Sequence, residues 1–331
     1  MWFAGVTQSM SALAPDPIDR IDAGEWPTES ERRYADAQSR LADHHGVATE
    51  SLLVESASAG RIHVLAAGNP DGDPVILLHG LGTTAATWLP LFPALADEFR
   101  LYAPDRPGRG LSAAPSYGGR DLRAFMTTYL RDVLDALEVA RPHVVGNSLG
   151  GGQAFLLAID HDRVDRLCLV GGPAGVSTDI PLPFRLMTIR GLNRVLYWLM
   201  GRGDSVENAR ERMARFNVVD DSAISEEFYE VQGYGTELPG RTRSLRSLQT
   251  AQSSFGRLHS TFDMRREIVR IDRPTSFVWG SEDSFFEPDV GRPVASRMAD
   301  AEFHELDAHG HTPWLEPGDE VERLVREFLS G

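Results

Sequence analysis

From Val75 onward the chain repeats one pattern: a short, mostly apolar run, then a turn, then a stretch with helical spacing. The runs lie at 75–78, 101–103, 143–145, 167–170, 276–279 and 302–306. They lack strict polar alternation, as strands buried on both faces of a parallel sheet do. Helical spacing fills intervals such as 121–137 and 152–159. Strand alternating with helix predicts an α/β fold with a doubly wound, mostly parallel sheet. Two further β-like runs, 51–56 and 61–66, bring the expected sheet to eight strands.

One interval breaks the rhythm. Between about 175 and 273 the sequence offers helical pieces rich in aromatics, such as "FRLMTIRGLNRVLYWLM", and no convincing strand. Some hundred residues is too long for a loop. The expected organisation is therefore an N-terminal arm and helix (1–48), a core in two parts (49–174 and 274–331) and an inserted helical cap (175–273). Within the first segment, residues 1–25 read as a mobile arm. The stretch from Trp26 to Gly46 reads as a helix capped by Thr28 or Ser30 and stopped by Gly46.

Composition removes whole classes of function. The formal net charge is −15, which argues against nucleic acid or an anionic membrane as partner. All 33 basic residues are arginine, so a phosphate loop with its lysine, a Schiff base and bound pyridoxal phosphate are excluded. No apolar run is long enough to span a bilayer, and no basic residue precedes the weakly apolar start, so a cytoplasmic protein without membrane insertion is expected. The single cysteine, Cys168, lies in an apolar run and reads as a buried structural thiol. No cofactor or metal site is evident: "DGD" at 71–73 lacks the rest of a calcium loop, and His44-His45 reads as a helix end. The expected partner is a small-molecule substrate, with a homo-oligomer possible.

The segment "HVVGNSLGGG" (143–152) gives the chemistry its centre. Ser148 stands between a strand and a helix, with Gly146 and Gly150 two positions either side. A sharp strand-to-helix turn needs small neighbours. It leaves the hydroxyl exposed beside a helix N-terminus, where N–H groups favour negative charge. The bland alternative is a serine capping a helix. A serine nucleophile needs a base. His311, in the loop between the last strand and last helix, is the candidate, with His309 as its rival. A carboxylate must orient that base. Asp283 follows a strand in "FVWGSEDSFF"; Glu282 and Asp289 are nearby alternatives. Backbone N–H groups of Leu149 and of Leu81, in "LLHGLGTT", are expected to form an oxyanion hole.

The order Ser148, Asp283, His311, with His79-Gly80 and the turn "DRPGRGLS" (105–112), resembles the α/β-hydrolase superfamily over 50–174 and 274–330. The resemblance implies a serine hydrolase whose cap lines the substrate pocket. Serine at the elbow departs from the haloalkane dehalogenases and epoxide hydrolases of this fold, which place aspartate there. "GNSLGG" is similar to the elbow of hydrolases that cleave carbon–carbon bonds in ring-fission products of aromatic degradation. Those enzymes carry Trp after the catalytic histidine, where this chain has Thr312. They also carry Asn in the loop after His-Gly, where this chain has none between His79 and Pro90. They use an Arg of the cap, for which Arg185 or Arg190 stands available. On this balance the expected reaction is hydrolysis of small neutral apolar carboxylic esters through an acyl-enzyme, with carbon–carbon hydrolysis of ring-fission diketones as runner-up. Cofactor-free perhydrolase or haloperoxidase activity and a non-catalytic binding protein are minor alternatives. Expected substrate contacts are Asn147, Phe184, Arg185, Met187, Arg190, Trp198 and Phe285.

Overall fold

The computed structural model of the chain describes residues 18–179, 181–254 and 257–331. Among the described residues nine strands form one sheet: β1 (Ile18–Arg20), β2 (Thr49–Ser56), β3 (Gly60–Gly68), β4 (Asp73–Leu78), β5 (Phe99–Pro104), β6 (His143–Gly146), β7 (Leu167–Val170), β10 (Thr275–Gly280) and β11 (Ala301–Leu306). Two more, β8 (Ser253–Ser254) and β9 (Arg257–Leu258), pair as a separate short hairpin. The sheet runs β1-β2-β3-β5-β4-β6-β7-β10-β11, antiparallel up to β5 and parallel beyond it. All eight strands expected from the sequence are present.

The ninth strand corrects the reading of 1–25 as an arm. Ile18 to Arg20 pair with Val54 to Leu52 along the sheet edge. A three-residue edge strand is recruited by the unpaired backbone groups of β2 and needs no hydrophobic pattern of its own. Residues 1–17 of that arm lie outside the described residues. Helix α1 (Glu29–His44) begins in a capping box made by Thr28 and Glu31, which satisfies two otherwise orphaned N–H groups.

Alternate residues of each central strand face opposite ways. Val75, Leu77, Val145, Val170 and Val278 pack under α1 and α11 (Glu320–Ser330). Ile76, Leu78, Val144, Leu169 and Phe277 pack under α2 (Leu122–Ala136), α3 (Leu149–His161) and α10 (Pro288–Ala295). Cys168 is buried. Between β7 and β10 lie α4 (Leu182–Met187), α5 (Leu192–Met200), α6 (Ser205–Phe216), α7 (Glu226–Glu237), α8 (Arg241–Gln252) and α9 (Arg265–Ile268). No helix among the described residues is long and apolar enough to cross a membrane.

Candidate active site

Ser148 ends the β6 turn with φ 52° and ψ −117°. That is strained for any residue with a side chain, and such strain gathers at functional sites. The crowding is measurable: a Cβ on Gly150 would stand 2.0 Å from the Leu78 carbonyl oxygen, and one on Gly146 would stand 2.8 Å from Gly151. The turn closes only with bare backbone on both sides of the serine. No side-chain hydrogen bond from Ser148 caps α3, so the helix-cap alternative fails.

His311 and Asp283 are brought together from the ends of adjacent strands. The His311 Nδ1 lies 2.7 Å from Asp283 Oδ2, and both side chains are buried. Asp283 also accepts the N–H groups of Gly172 (2.9 Å), Phe285 (2.8 Å) and Phe286 (3.1 Å). Burial alone would raise its pKa. The charge and hydrogen bond of His311, with the Gly172 and Phe285 bonds, outweigh that and hold it below the usual carboxylate range. The segment after β7 ties this pair to the elbow, since Gly172 N–H goes to Asp283 and Ala174 N–H to the Ser148 carbonyl at 2.8 Å. The rivals stand apart: His309 turns its Nδ1 to the Asp307 carbonyl at 2.8 Å, and Glu282 and Asp289 are exposed.

A cavity opens on Ser148, lined among others by Leu81, Leu149, Phe184, Gln249, Met264 and Phe285. Leu149 is the first residue of α3, so its N–H has no partner within the helix. The loop carrying Leu81 is pinned from behind. His79 accepts the Arg106 N–H on Nε2 at 3.0 Å and bonds the Gly80 carbonyl through Nδ1 at 2.8 Å. Arg106 donates to the Leu81 carbonyl at 2.8 Å, and Arg109 to the carbonyls of Gly82 and Thr83. Burial first, then Arg106, pushes the His79 pKa down to about 3, so its ring is neutral.

Several expected contacts are corrected. Asn147 is buried, and its amide donates to the carbonyls of Val170 (2.8 Å) and His311 (3.0 Å); it positions the histidine loop and is not part of the cavity lining. Arg185, Arg190 and Trp198 are exposed, and neither they nor Met187 line the cavity. The apolar positions of this segment exceed one helix face, so its sequence does not say which side turns inward. Phe184 and Phe285 do line it, their rings 4.9 Å apart, and Phe285 lies 4.3 Å from the His311 ring.

Other residues were not foreseen. Glu316 is buried and accepts the N–H groups of Gly310 (2.6 Å), Val219 (2.9 Å) and Asp220 (3.0 Å), joining the histidine loop to the chain after α6. The Asn217 carbonyl accepts the Thr312 N–H at 2.9 Å, so α6 ends beside His311. Phe216 packs edge-on against Phe184, with Phe285 nearby. Arg212, one turn earlier, shares that helix face. It is half-buried, and among the described residues it has no carboxylate partner. Its electrostatic neighbours are Tyr197 and Arg109. Tyr197 in turn donates to Gln249 of the cavity wall at 3.0 Å. Burial lowers the Arg212 pKa. Arg109 is held down to about 10, by burial first and Arg106 second, with Arg212 adding to the repulsion. A partly buried cation without a counter-ion is costly; Arg212 is not itself among the residues lining the cavity and borders that wall through Tyr197 and Gln249. The only sequence signal for Arg212 was its spacing to Phe216.

Among the described residues no cluster of His, Cys, Asp or Glu is placed to hold a metal. A sequence profile described as "Alpha/beta hydrolase family" matches residues 75–324. A 2-hydroxy-6-oxononadienedioate/2-hydroxy-6-oxononatrienedioate hydrolase of a Pseudomonas species is 30% identical over 286 residues, 84% of this chain and 95% of that protein. A 2-hydroxy-6-oxo-6-phenylhexa-2,4-dienoate hydrolase of Burkholderia cepacia is 28% identical, covering 82% and 91% of the two chains. Among solved structures, a meta-cleavage product hydrolase from Pseudomonas fluorescens has a TM-score of 0.66 at 26% identity, covering 84% of this chain and 97% of that one. The carboxylesterase CesB of Bacillus subtilis has a TM-score of 0.72 at 21% identity, covering 92% and 100%, a likeness of fold.

Proposed function

Because this chain belongs to the alpha/beta hydrolase family, we propose that it is a serine hydrolase cleaving the carbon–carbon bond beside a ketone in an acidic ring-fission diketone. The order of the two readings drawn from the sequence is thus reversed. The observation that carries the choice is Arg212: a cation on the helix that ends beside His311, without a carboxylate of its own. The relatives named above are hydrolases of a dienoate and of dioates, whose carboxylates such a cation suits.

In this reading Ser148 Oγ attacks the ketone carbon while His311 Nε2 takes its proton and Asp283 steadies the imidazolium. The N–H groups of Leu81 and Leu149 receive the oxyanion. The broken bond leaves its electron pair on carbon, spread through the neighbouring double bond onto the keto acid. Arg212 holds the carboxylate of that fragment, which departs as a dienol after protonation. The acyl group stays on Ser148 until water, deprotonated by His311, releases it as an acid. Helices α4 to α8 serve as the cap, and Phe184 and Phe285 cover the apolar part of the substrate.

One observation favours the ester reading as second. The only charged residue lining the cavity, among those described, is Asp179. A neutral apolar acyl group fits that wall without help from Arg212. The test compares purified enzyme on a 2-hydroxy-6-oxo-dienoate, followed by loss of its visible absorbance, with p-nitrophenyl esters of graded chain length. A kcat/KM for the diketone at least tenfold above that for any ester is expected. The opposite order makes the protein an esterase.

A further inference from the structure

Helices α4 and α5 turn an unusual face to solvent. Leu186, Ile189, Val195, Trp198 and Leu199 are between 42% and 59% exposed. The sequence stretches that form and flank this face carry charges of one sign: every charged residue from 180 to 203 is an arginine (Arg185, Arg190, Arg194, Arg202), and so is every one from 238 to 262 (Arg243, Arg246, Arg257 and the buried Arg241). The second stretch includes α8, which packs against α4 and α5. All 48 acidic residues of the chain lie elsewhere. No ion pair among the described residues uses Arg190, Arg194, Arg202 or Arg243. The Arg202 guanidinium instead sits 3.8 Å above the Trp198 ring.

We infer that this face adsorbs to an anionic lipid surface, lying in the headgroup layer with Trp198 and its apolar neighbours among the first methylenes and the arginines on the phosphates. Apolar residues, a tryptophan and unpaired cations on one short amphipathic stretch are what an interfacial helix needs. The net charge of −15 hides the patch because the charge is unevenly spread. A second copy of the chain suits the face poorly, since a two-fold contact sets the same patch against itself and brings like arginines together. A membrane surface supplies the negative charge that a copy does not. Helix α4 also lines the cavity through Phe184, so adsorption places the cavity near the lipid, where apolar substrates collect. The inference is independent of which bond is hydrolysed.

Full-length protein is sedimented with vesicles of equal parts phosphatidylglycerol and phosphatidylcholine, and with phosphatidylcholine alone. Binding to the anionic vesicles at least about tenfold tighter, weakened by salt, is expected. The double variant Arg194→Glu with Arg202→Glu should lose that preference while still hydrolysing a water-soluble ester. Equal binding to both vesicle types, or binding to neither, overturns the inference. So does a dimer in analytical ultracentrifugation that the variant dissolves without vesicle binding by the wild type; the face would then join two copies.

Discussion

Asp283 and His311 meet at 2.7 Å inside the protein, while the other bonds to the carboxylate come from the backbone N–H groups of Gly172, Phe285 and Phe286. The carboxylate is thus fixed by the chain and turns one oxygen to the imidazole. Asp283→Asn should preserve the fold but lower kcat by up to about 10⁴-fold, by favouring the wrong tautomer. The lowered pKa of Asp283 sets the pH behaviour. Its contribution to stability is complete above the ordinary carboxylate value near ~4 and is lost only as pH falls through its lower folded value. Asp283 should therefore add no ionisation of its own to kcat/KM above pH ~4. An ionisation there that Asp283→Asn removes would overturn this.

His311→Ala should resemble Ser148→Ala, with kcat down by about 10⁴-fold or more. His309→Ala should cost less than about tenfold, because among the described residues its ring bonds only the Asp307 carbonyl of its own loop. Steady-state rates on one substrate for the three variants check the ranking; a larger loss at His309 would reassign the base.

The strain at Ser148 makes a separate, thermodynamic prediction. Glycine ordinarily costs about 0.5–1 kcal/mol relative to alanine in a regular element. At φ 52° the sign should reverse, since alanine keeps the strain and glycine relieves it. Ser148→Gly should be more stable than Ser148→Ala in urea unfolding, by about 1 kcal/mol. Both should be inactive. Equal midpoints would mean the turn stores no strain.

That Ser148, Asp283 and His311 would lie just past strand ends was legible because each position is marked locally. Ser148, Asp283 and His311 sit at the ends of apolar runs, where strand must give way to loop. Ile18 to Arg20 carry no such mark, since an edge strand of polar residues is made by the neighbour it pairs with. Arg185 and Arg190 looked like cap cations because sequence shows charge but not direction in a segment apolar on more than one side. Arg212 was hidden for the converse reason. Its segment, "SVENARERMARF", reads as a solvated helix with many charges, and long-range contacts at its end, the Asn217–Thr312 bond and the Phe216 ring contacts among them, draw that end toward His311.

Arg212→Ala should separate the two substrate classes. With an acid-bearing ester, such as the mono-p-nitrophenyl ester of a short diacid, and a neutral ester of equal length, kcat/KM should fall at least about tenfold more for the acid, the loss of one hydrogen-bonded charge pair. Arg212→Lys should restore part of it, mainly through KM. An equal fall for both esters would mean that Arg212 only packs.

The turn behind the loop that carries Leu81 makes the last prediction. Asp105 is fully buried and accepts from His63 Nδ1 at 2.7 Å and from the N–H groups of Ala85 (2.8 Å) and Leu111 (3.0 Å). Burial would raise its pKa, but the hydrogen bond and charge of His63, with His79 and the Ala85 bond, bring it down to about 2. A carboxylate with a depressed folded pKa stabilises the protein above its unfolded value, near ~4, and loses that contribution as pH falls through the folded one. The displacement corresponds to about 2 kcal/mol at neutral pH. Asp105→Asn should therefore cost at least about 2 kcal/mol at pH 7, read from denaturant midpoints, with the gap to wild type narrowing as pH drops from ~4 toward ~2. It should also lower kcat, because Ala85 follows the loop that carries Leu81. A gap that stayed constant across that range would show that Asp105 acts through packing and hydrogen bonds alone, with no contribution from its charge.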